Sequence, residues 1–436
     1  MQRDVKQGLE SDRNAGENAR NGWVAAVLLA ELWLARAERV DTLLEGLPKA
    51  LVGQERARAQ HLFFGVVRWW SRIEAAGDGL MARPPRTKVR AVLAVAGFEL
   101  LEGGPELVAK VIHHAVERAK SVASPKEAGL INAVLRKMAL RLAERPALLA
   151  AELAHPEWLV ERWIGQFGEA ATRALLEWNQ RPAAVFARWR SQDAPPEFLA
   201  PTAWPGFHEV RAGHWTEVRR LAAEGALYLQ DPSTRLAVEV LAPQAGELIL
   251  DACAAPGGKA LCLADLMKSG RLVALDLPSA PGETDRRLGR LKENLAHAPQ
   301  GVDVALVEAD LVKVGTAFYR NLNLPEAYDA VLVDAPCSNT GVMRHRVDVK
   351  WRLRAGDFDR HAGQQLELLQ AAARLVKPGG RLVYSTCSID AAENGEVSRR
   401  FLSSSAGAAW RLERSVQAFP WIERHDGAGV FLLRRA

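Results

Sequence analysis

From Leu227 onward the chain consists of short apolar runs that end in Asp, Pro or Cys and alternate with helical segments: ELILDACA, RLVALD, VDVALVEAD, YDAVLVDAP and GGRLVYSTC. No other feature narrows the choice of fold so far. The runs are almost continuously apolar, as strands buried on both faces must be. Strands alternating with helices in this way build a parallel sheet covered on both sides. Residues 226–436 are therefore expected to form an α/β domain of Rossmann-like type. Ligands of such sheets bind outside the carboxyl ends of the strands, so the residues that close each run are the first candidates for function.

Upstream the pattern is different. Between Gly22 and Arg145 apolar residues recur at three- and four-residue spacing, as in VAAVLLAELWLARA, and Pro84-Pro85, Gly104-Pro105 and Ser124-Pro125 punctuate the helices. An all-α bundle is expected over 22–145 and a small α+β connecting subdomain over 146–225. Residues 1–21 are polar and charged and are expected to be a disordered leader. A chain of 436 residues is multidomain on length as well. No run reaches the ~20 apolar residues of a membrane helix, and the leader has no apolar run of signal-peptide length. The expectation is a cytoplasmic protein, monomeric, with reduced thiols and no membrane partner. Its four cysteines fit neither a disulfide framework nor a zinc-ligand spacing, so no metal is expected. The net charge of +5 fits a polyanionic partner only weakly. The stretch from Lys110 to Arg141 is more pointed, with seven Lys or Arg against two Glu. It is either an ordinary solvated helix face or a phosphate-contacting surface.

Three motifs close strands. LDACAAPGGKA (residues 250–260) takes a strand through a small-residue loop into a helix. Gly257 and Gly258 let the backbone approach a ligand closely, and Asp276, at the end of the next strand, stands where an acid commonly binds a ribose diol. The loop is neither a phosphate-binding GxxxxGK[ST] sequence nor a full GxGxxG, which disfavours nucleoside triphosphates and dinucleotides. VDAPCSNTGVMRHRVDVKWR (333–352) puts Asp334 and Cys337 at a second strand end, followed by a basic stretch with Trp351 interleaved, a composition suited to a nucleic-acid strand. LVYSTCSIDAAENGEV (382–397) puts Cys387 at a third.

Either cysteine by itself is more often a packing residue, and Cys253 and Cys262 are read that way. Two thiols at strand ends of one sheet are a different matter. Carbon 5 of a pyrimidine is a poor nucleophile until a thiolate adds at carbon 6. A carboxyl group on the base edge, here Asp334, steadies the charge that develops. A base, which a second thiolate could be, must then remove the carbon 5 proton so that the covalent bond breaks. This chemistry leaves open which cysteine attacks.

DACAAPGGK, DAPCSNTGV and the TCS tip resemble the Nop/Sun family of RNA 5-methylcytosine methyltransferases, a likeness that extends upstream through LYLQDPST (227–234) and HPEWLVERW (155–163). FFGVVRWW and VERAK…GLINAVLRKM resemble the RNA-binding NusB domain. The resemblance spans roughly residues 22–436. It implies an all-α NusB-like domain ahead of a class I methyltransferase domain, S-adenosylmethionine as cofactor, and RNA as substrate, with the domain order pointing to small-subunit ribosomal RNA. It also implies that Cys387 is the nucleophile, that Cys337 assists release, and that Asp334 lies near both base and cofactor. Cys253, Ala254, Ala255, Pro256, Gly257, Gly258 and Lys259 match the methionine-binding loop, Asp276 the ribose acid and Asp310 the acid near the adenine.

The chain departs from the family pattern in three places. LPSAPGETDR lengthens the step after Asp276, Asn339 stands where a small residue is usual, and Arg188-Trp189-Arg190 replaces the common Arg-Val-Asn, which weakens any expectation of RNA contacts there. Two other classes of function compete. A non-catalytic RNA-binding assembly factor has no use for intact Cys337, Cys387 and cofactor loop. A methyltransferase acting on an amine or a small molecule needs no pair of thiols. The same chemistry on another RNA, such as tRNA, stays open.

Overall fold

The computed structural model describes residues 21–36, 38–122, 124–279 and 286–436. The expected leader, apart from Asn21, and most of the LPSAPGETDR segment lie outside them. The chain divides into two compact units, one running to Arg181 and including Met343–Leu353, the other made of Pro182–Val342 and Arg354–Ala436. The expected connecting stretch is shared, its helices up to Gln180 belonging to the first unit, its strands and the helix Trp215–Ala223 to the second.

The first unit is helical. Its principal helices are α1 (Gly22–Arg36), α2 (Gly53–Arg68), α3 (Thr87–Glu102), α4 (Val108–Val122), α5 (Pro125–Ala143), α6 (Glu157–Phe167) and α7 (Glu169–Gln180). Helix α5 starts where Ser-Pro predicts. Pro125 takes the first turn, Ser124 Oγ accepts the Glu127 amide at 3.3 Å, and the Glu127 carboxylate accepts the Ser124 amide at 2.7 Å. This reciprocal cap satisfies amides that the helix itself leaves open. Trp23, Leu29, Phe63, Val95, Ile131 and Leu135 fill the core. Lys110, Arg118, Lys120, Lys126, Arg136, Lys137 and Arg141 are all exposed, so the basic stretch of α4 and α5 presents its charge outward.

The segment Met343–Leu353 corrects a reading made from composition. Val347 and Trp351 pack on the helical core. The Trp351 indole donates to the Val67 carbonyl at 2.6 Å, and Lys350, only 2% exposed, donates to the Arg68 carbonyl at 2.8 Å. Burial first, then the charge of Arg68, pushes the Lys350 ammonium well below its ordinary range. Arg344 lies over the Trp178 ring at 4.1 Å. These side chains anchor the segment in its own unit and do not form a free cationic track. The apolar side chains between the charges decide which way the segment turns, and a lysine stem is itself apolar.

The second unit holds two sheets. The small one is antiparallel, in the order β2-β3-β1-β4, from β1 (Phe186–Trp189), β2 (Leu199–Pro201), β3 (Phe207–Val210) and β4 (Leu227–Leu229). The large one orders β10-β11-β9-β8-β5-β6-β7, from β5 (Leu248–Asp251), β6 (Gly270–Asp276), β7 (Val302–Glu308), β8 (Tyr328–Asp334), β9 (Val376–Thr386), β10 (Trp410–Ala418) and β11 (Ala428–Arg435). The five apolar runs of the sequence are β5 to β9, and they pair with one another in parallel. The closing hairpin β10–β11 is antiparallel.

Alternate residues of each strand face opposite helical layers, as strand geometry requires. Leu250, Val273 and Val331 pack with Leu369 and Ala372 of α11 (Asp357–Ala373) and Phe401 of α12 (Gly395–Leu402). Ile249, Leu272 and Leu332 pack with Leu241 of α8 (Arg235–Leu241), Leu261 of α9 (Gly258–Met267) and Leu291 of α10 (Arg286–Leu295). The chain reverses its direction of growth across the sheet between β5 and β8, and that switch point opens a crevice at their carboxyl ends. No helix among the described residues is long and apolar enough to cross a membrane.

Candidate active site

Strand β5 ends at Asp251 and the loop after it turns into α9. Gly257 takes φ 107°, open to glycine but hard for any other residue, and a Cβ there would sit 3.0 Å from the Leu291 side chain. The loop is held from outside. The Ala255 amide donates to Asp276 Oδ2 at 2.8 Å, and Asn294 Nδ2 to the Pro256 carbonyl at 2.7 Å. Beneath it lies a cavity of about 220 Å³ lined by Tyr228, Asp251, Cys253, Ala254, Lys259 and Asp334, among others. That volume falls below the ~300–1,000 Å³ of a site enclosing a whole small molecule, so it accommodates one end of a ligand.

Asp251 is the anomaly of this cavity. It is 1% exposed, and neither carboxylate oxygen has a side-chain hydrogen-bond partner among the described residues. Burial, then the charge of Asp334, pushes its carboxyl up to about 7. A buried carboxylate met by a backbone amide, that of Cys253, and by no side-chain donor is costly unless a cation joins it, and the amino-acid end of S-adenosylmethionine carries an ammonium. The donor set therefore fits the expected cofactor. Asp276 acts differently from the sequence expectation in one respect. Both its oxygens accept backbone amides, from Ala255 and Leu277 at 2.8 Å each, so it braces the loop. Each oxygen keeps a lone pair for a hydroxyl group. Asp310 stands just beyond β7 and accepts from Lys313 at 3.0 Å and from the Val312 amide, contacts that hold its carboxyl below the ordinary range. Neither acid lines the cavity.

At the end of β8, Asp334 faces Ser385 of β9 in register. Its Oδ1 accepts the Ser385 hydroxyl at 2.9 Å and its Oδ2 the Lys259 ammonium at 2.6 Å. Burial works against the Lys259 charge, but the carboxylate of Asp334 outweighs it and holds the ammonium above its usual range. This ion pair joins the cofactor loop to the second motif; the sequence reading included both residues but not their contact.

The two cysteines meet. Cys337 Sγ and Cys387 Sγ are 3.0 Å apart, Cys337 buried and Cys387 half-buried. The hydrogen bond to Cys387, then burial, then neighbouring negative charge holds the Cys337 thiol well above its ordinary range. Asn339 lies between the two loops, its Nδ2 donating to the Cys337 carbonyl at 2.8 Å and its Oδ1 3.3 Å from Cys387 Sγ. Its φ is 62°, the left-handed region that favours a residue without a Cβ and that Asn tolerates best among the rest. The departure at this position thus keeps the turn and adds an amide beside Cys387. Cys253 lines the cavity, and Cys262 is buried on α9.

The loops also touch through Gly341. Its amide donates to the Cys387 carbonyl at 3.0 Å, and a Cβ on it would come within 2.7 Å of that oxygen and 2.8 Å of Gly427 Cα. Both neighbours are backbone and cannot give way. Gly341→Ala is expected to separate the thiol loops and lower methyl transfer roughly 100-fold, with the affinity for S-adenosylmethionine within about twofold of the original, as read by calorimetry beside a turnover assay. The remaining departure, Arg188 and Arg190, resolves into structure. Both guanidinium groups bind Asp265 of α9, at 2.5 Å and 2.7 Å, and tie the small sheet to the cofactor helix.

A crevice at the switch point of a seven-stranded sheet in this order, floored by a buried acid with no side-chain hydrogen-bond partner, defines a class I methyltransferase. The family described as 16S rRNA methyltransferase RsmB/F matches residues 238–420, and the NusB family matches residues 25–140. The ribosomal RNA small subunit methyltransferase B of Klebsiella pneumoniae subsp. pneumoniae is 31% identical over 90% of this chain and 93% of its own length. That of Serratia proteamaculans is 32% identical over 94% and 96%. The chain belongs to this RsmB/F methyltransferase family. Among solved structures, PH0851 superposes with a TM-score of 0.76 at 23% identity over 95% of this chain and 99% of that one. A methyltransferase homolog protein from Pyrococcus horikoshii superposes with 0.54 at 22% identity over 66% and 98%. At those identities the likeness concerns the fold.

Proposed function

We propose that the protein transfers a methyl group from S-adenosylmethionine to carbon 5 of a cytosine in RNA, the substrate being small-subunit ribosomal RNA, through a transient bond between Cys387 and carbon 6 of the base. The observation that carries this reading is the pair of sulfurs 3.0 Å apart beside Asp334, at the ends of two adjacent parallel strands bordering the cofactor crevice. Methylation of an amine or hydroxyl has no use for such a pair.

Asp251 takes the ammonium of the cofactor, and the loop Cys253–Lys259 covers its amino-acid end. When bound, S-adenosylmethionine supplies an electrophilic methyl carbon and leaves as a neutral thioether. Asp334, fixed by Lys259 and Ser385, holds the polar edge of the base. The hydrogen bond to Cys387 and burial hold the Cys337 thiol well above its ordinary range, and the family resemblance makes Cys387, as thiolate, the sulfur that adds. Addition of that thiolate to carbon 6 puts an electron pair on carbon 5, the position to be methylated. Cys337 then releases its own proton to solvent and takes the one on carbon 5. The carbon 5–carbon 6 double bond re-forms and the Cys387 thiolate departs.

The test is transfer of labelled methyl from S-adenosylmethionine into ribosomal RNA by the purified protein, with loss of transfer in Cys387→Ala. Label appearing in transfer RNA alone would move the substrate, and full activity in Cys387→Ala would end the covalent reading. The exposed basic face of α5 supports an RNA partner as well. Lys126→Glu, Arg136→Glu and Lys137→Glu together are expected to lower RNA affinity and to reduce the slope of log K against log salt by roughly 0.7–0.9 for each phosphate no longer neutralised. A salt titration of binding that keeps its slope would remove that face from the RNA site.

A further inference from the structure

Each catalytic cysteine is followed by a serine, Ser338 after Cys337 and Ser388 after Cys387. Neither serine points at the crevice. Both are buried, 3% and 0% exposed, and both donate to one carboxylate, that of Glu393, itself 0% exposed. Glu393 Oε1 accepts the Ser338 amide at 2.8 Å, and Oε2 accepts the Ser338 hydroxyl and, at 2.6 Å, the Ser388 hydroxyl. Gln365 Nε2 donates to Oε1 at 3.1 Å and to the Pro336 carbonyl at 2.9 Å, extending the clamp to the residue before Cys337. Thr340 Oγ1 completes it, 3.0 Å from Ser388 Oγ and accepting the Ile389 amide at 3.1 Å. The next residue, Asn394, donates to the Ser388 carbonyl at 2.9 Å and accepts from Thr386 Oγ1 at 2.6 Å.

A fully buried carboxylate with no salt bridge among the described residues is an expensive group to bury. It is tolerated because four donors satisfy it, and those donors come from α11 and from the two loops whose tips carry the thiols. We infer that Glu393 is a positioning residue for the thiol pair: its charge draws the Cys337 and Cys387 loops onto one anchor and so fixes the two sulfurs within reach of the same base. Glu393 is fully buried and does not line the cavity beneath the loop after β5. This inference rests on the two-thiol reading above, and its test is built to separate the two.

Closure of Cys337 and Cys387 to a disulfide by diamide measures how well the sulfurs are juxtaposed without any catalysis. The two thiols give two electrons and two protons to the azo bond of diamide, which becomes a hydrazine. Glu393→Gln keeps the size and one acceptor of the side chain but loses the charge. Its closure is expected to slow roughly 10- to 100-fold. Formation of the covalent RNA adduct, measured in Glu393→Gln combined with Cys337→Ala against Cys337→Ala alone, is expected to slow by a similar factor. Affinity for S-adenosylmethionine should stay within about twofold, because none of the cavity residues is bonded to Glu393. Ser338→Ala and Ser388→Ala, each removing one arm, are expected to fall between. If Glu393→Gln loses cofactor binding too, its fold is lost and the two serine variants decide. Closure at the original rate in Glu393→Gln, or in both serine variants where they decide, overturns the inference. If Cys337→Ala alone yields no adduct, the two-thiol reading fails, and the diamide rates still decide the role of Glu393.

Discussion

Cys337→Ala is expected to accumulate protein covalently joined to RNA, stable on a denaturing gel, while Cys387→Ala forms none. The sulfurs lie 3.0 Å apart in unlike environments, and the proposed mechanism gives them opposite roles. Cys387 is half-buried at the tip of β9; Cys337 is buried beneath it and keeps its proton through the hydrogen bond to Cys387 and through burial. Without Cys387 no bond to carbon 6 forms, and methyl transfer should fall by several orders of magnitude, as for loss of any enzymatic nucleophile. Without Cys337 the bond forms, but the carbon 5 proton has no base and the adduct persists. The intact enzyme carries a pH signature of the same kind. Cys337 must ionise before it can serve as base, and its burial, which persists in the adduct, works against the charged form, so resolution of the adduct should quicken as pH rises through neutrality. The measurement is the fraction of adduct after quenching, from pH 6 to pH 9. Adduct in Cys387→Ala but not in Cys337→Ala would exchange the two roles.

The second large effect belongs to Asp251. Removing one member of a buried charge pair costs roughly 2–5 kcal/mol, so Asp251→Asn is expected to weaken S-adenosylmethionine binding by about 30- to several-thousand-fold. Its carboxyl is raised from an ordinary 3.8 to about 7, while the ligand needs it ionised. Below about pH 7 binding must expel a proton, so affinity should rise close to tenfold per pH unit up to about 7 and then level off. Stability of the free protein runs the other way. Between about pH 4 and pH 7 the folded state holds a proton that the unfolded chain has released, so stability falls as pH rises through that window and does not return above it. Asp251→Asn should therefore be more thermostable than the parent at pH 8 in the absence of ligand while losing the pH dependence of binding. Calorimetric titrations and melting curves at pH 6, 7 and 8 check both. An unchanged affinity would remove Asp251 from the cofactor site.

The strands that carry chemistry were the most legible part of the sequence, because a strand buried on both faces has to be written in apolar residues. All five runs became β5 to β9, and the strand ends brought Asp334, Cys337 and Cys387 together. The hairpin β10–β11 escaped notice because β10 lies at the sheet edge, largely exposed and rich in charge, with no crossover helix to announce it. The basic run after Cys337 misled for a related reason. Composition records charge but not direction, and Lys350 and Trp351 turn into the helical unit. Glu393 was invisible because a clamp between two loops leaves no periodicity; its only trace is an acid shortly after the TCS tip. Asp251 stood in a motif already singled out, but its lack of a side-chain partner could be seen only once the neighbouring side chains had positions.

The proposed activity is formation of 5-methylcytosine in small-subunit ribosomal RNA. Bisulfite sequencing of ribosomal RNA from a strain lacking the gene, set beside the parent strain, tests it most directly. One cytosine of the small-subunit RNA that resists conversion in the parent should become fully convertible in the deletion strain, and resistance should return with the intact protein but not with Cys387→Ala. An unchanged pattern in small-subunit RNA, or restoration of resistance by Cys387→Ala, would contradict the account.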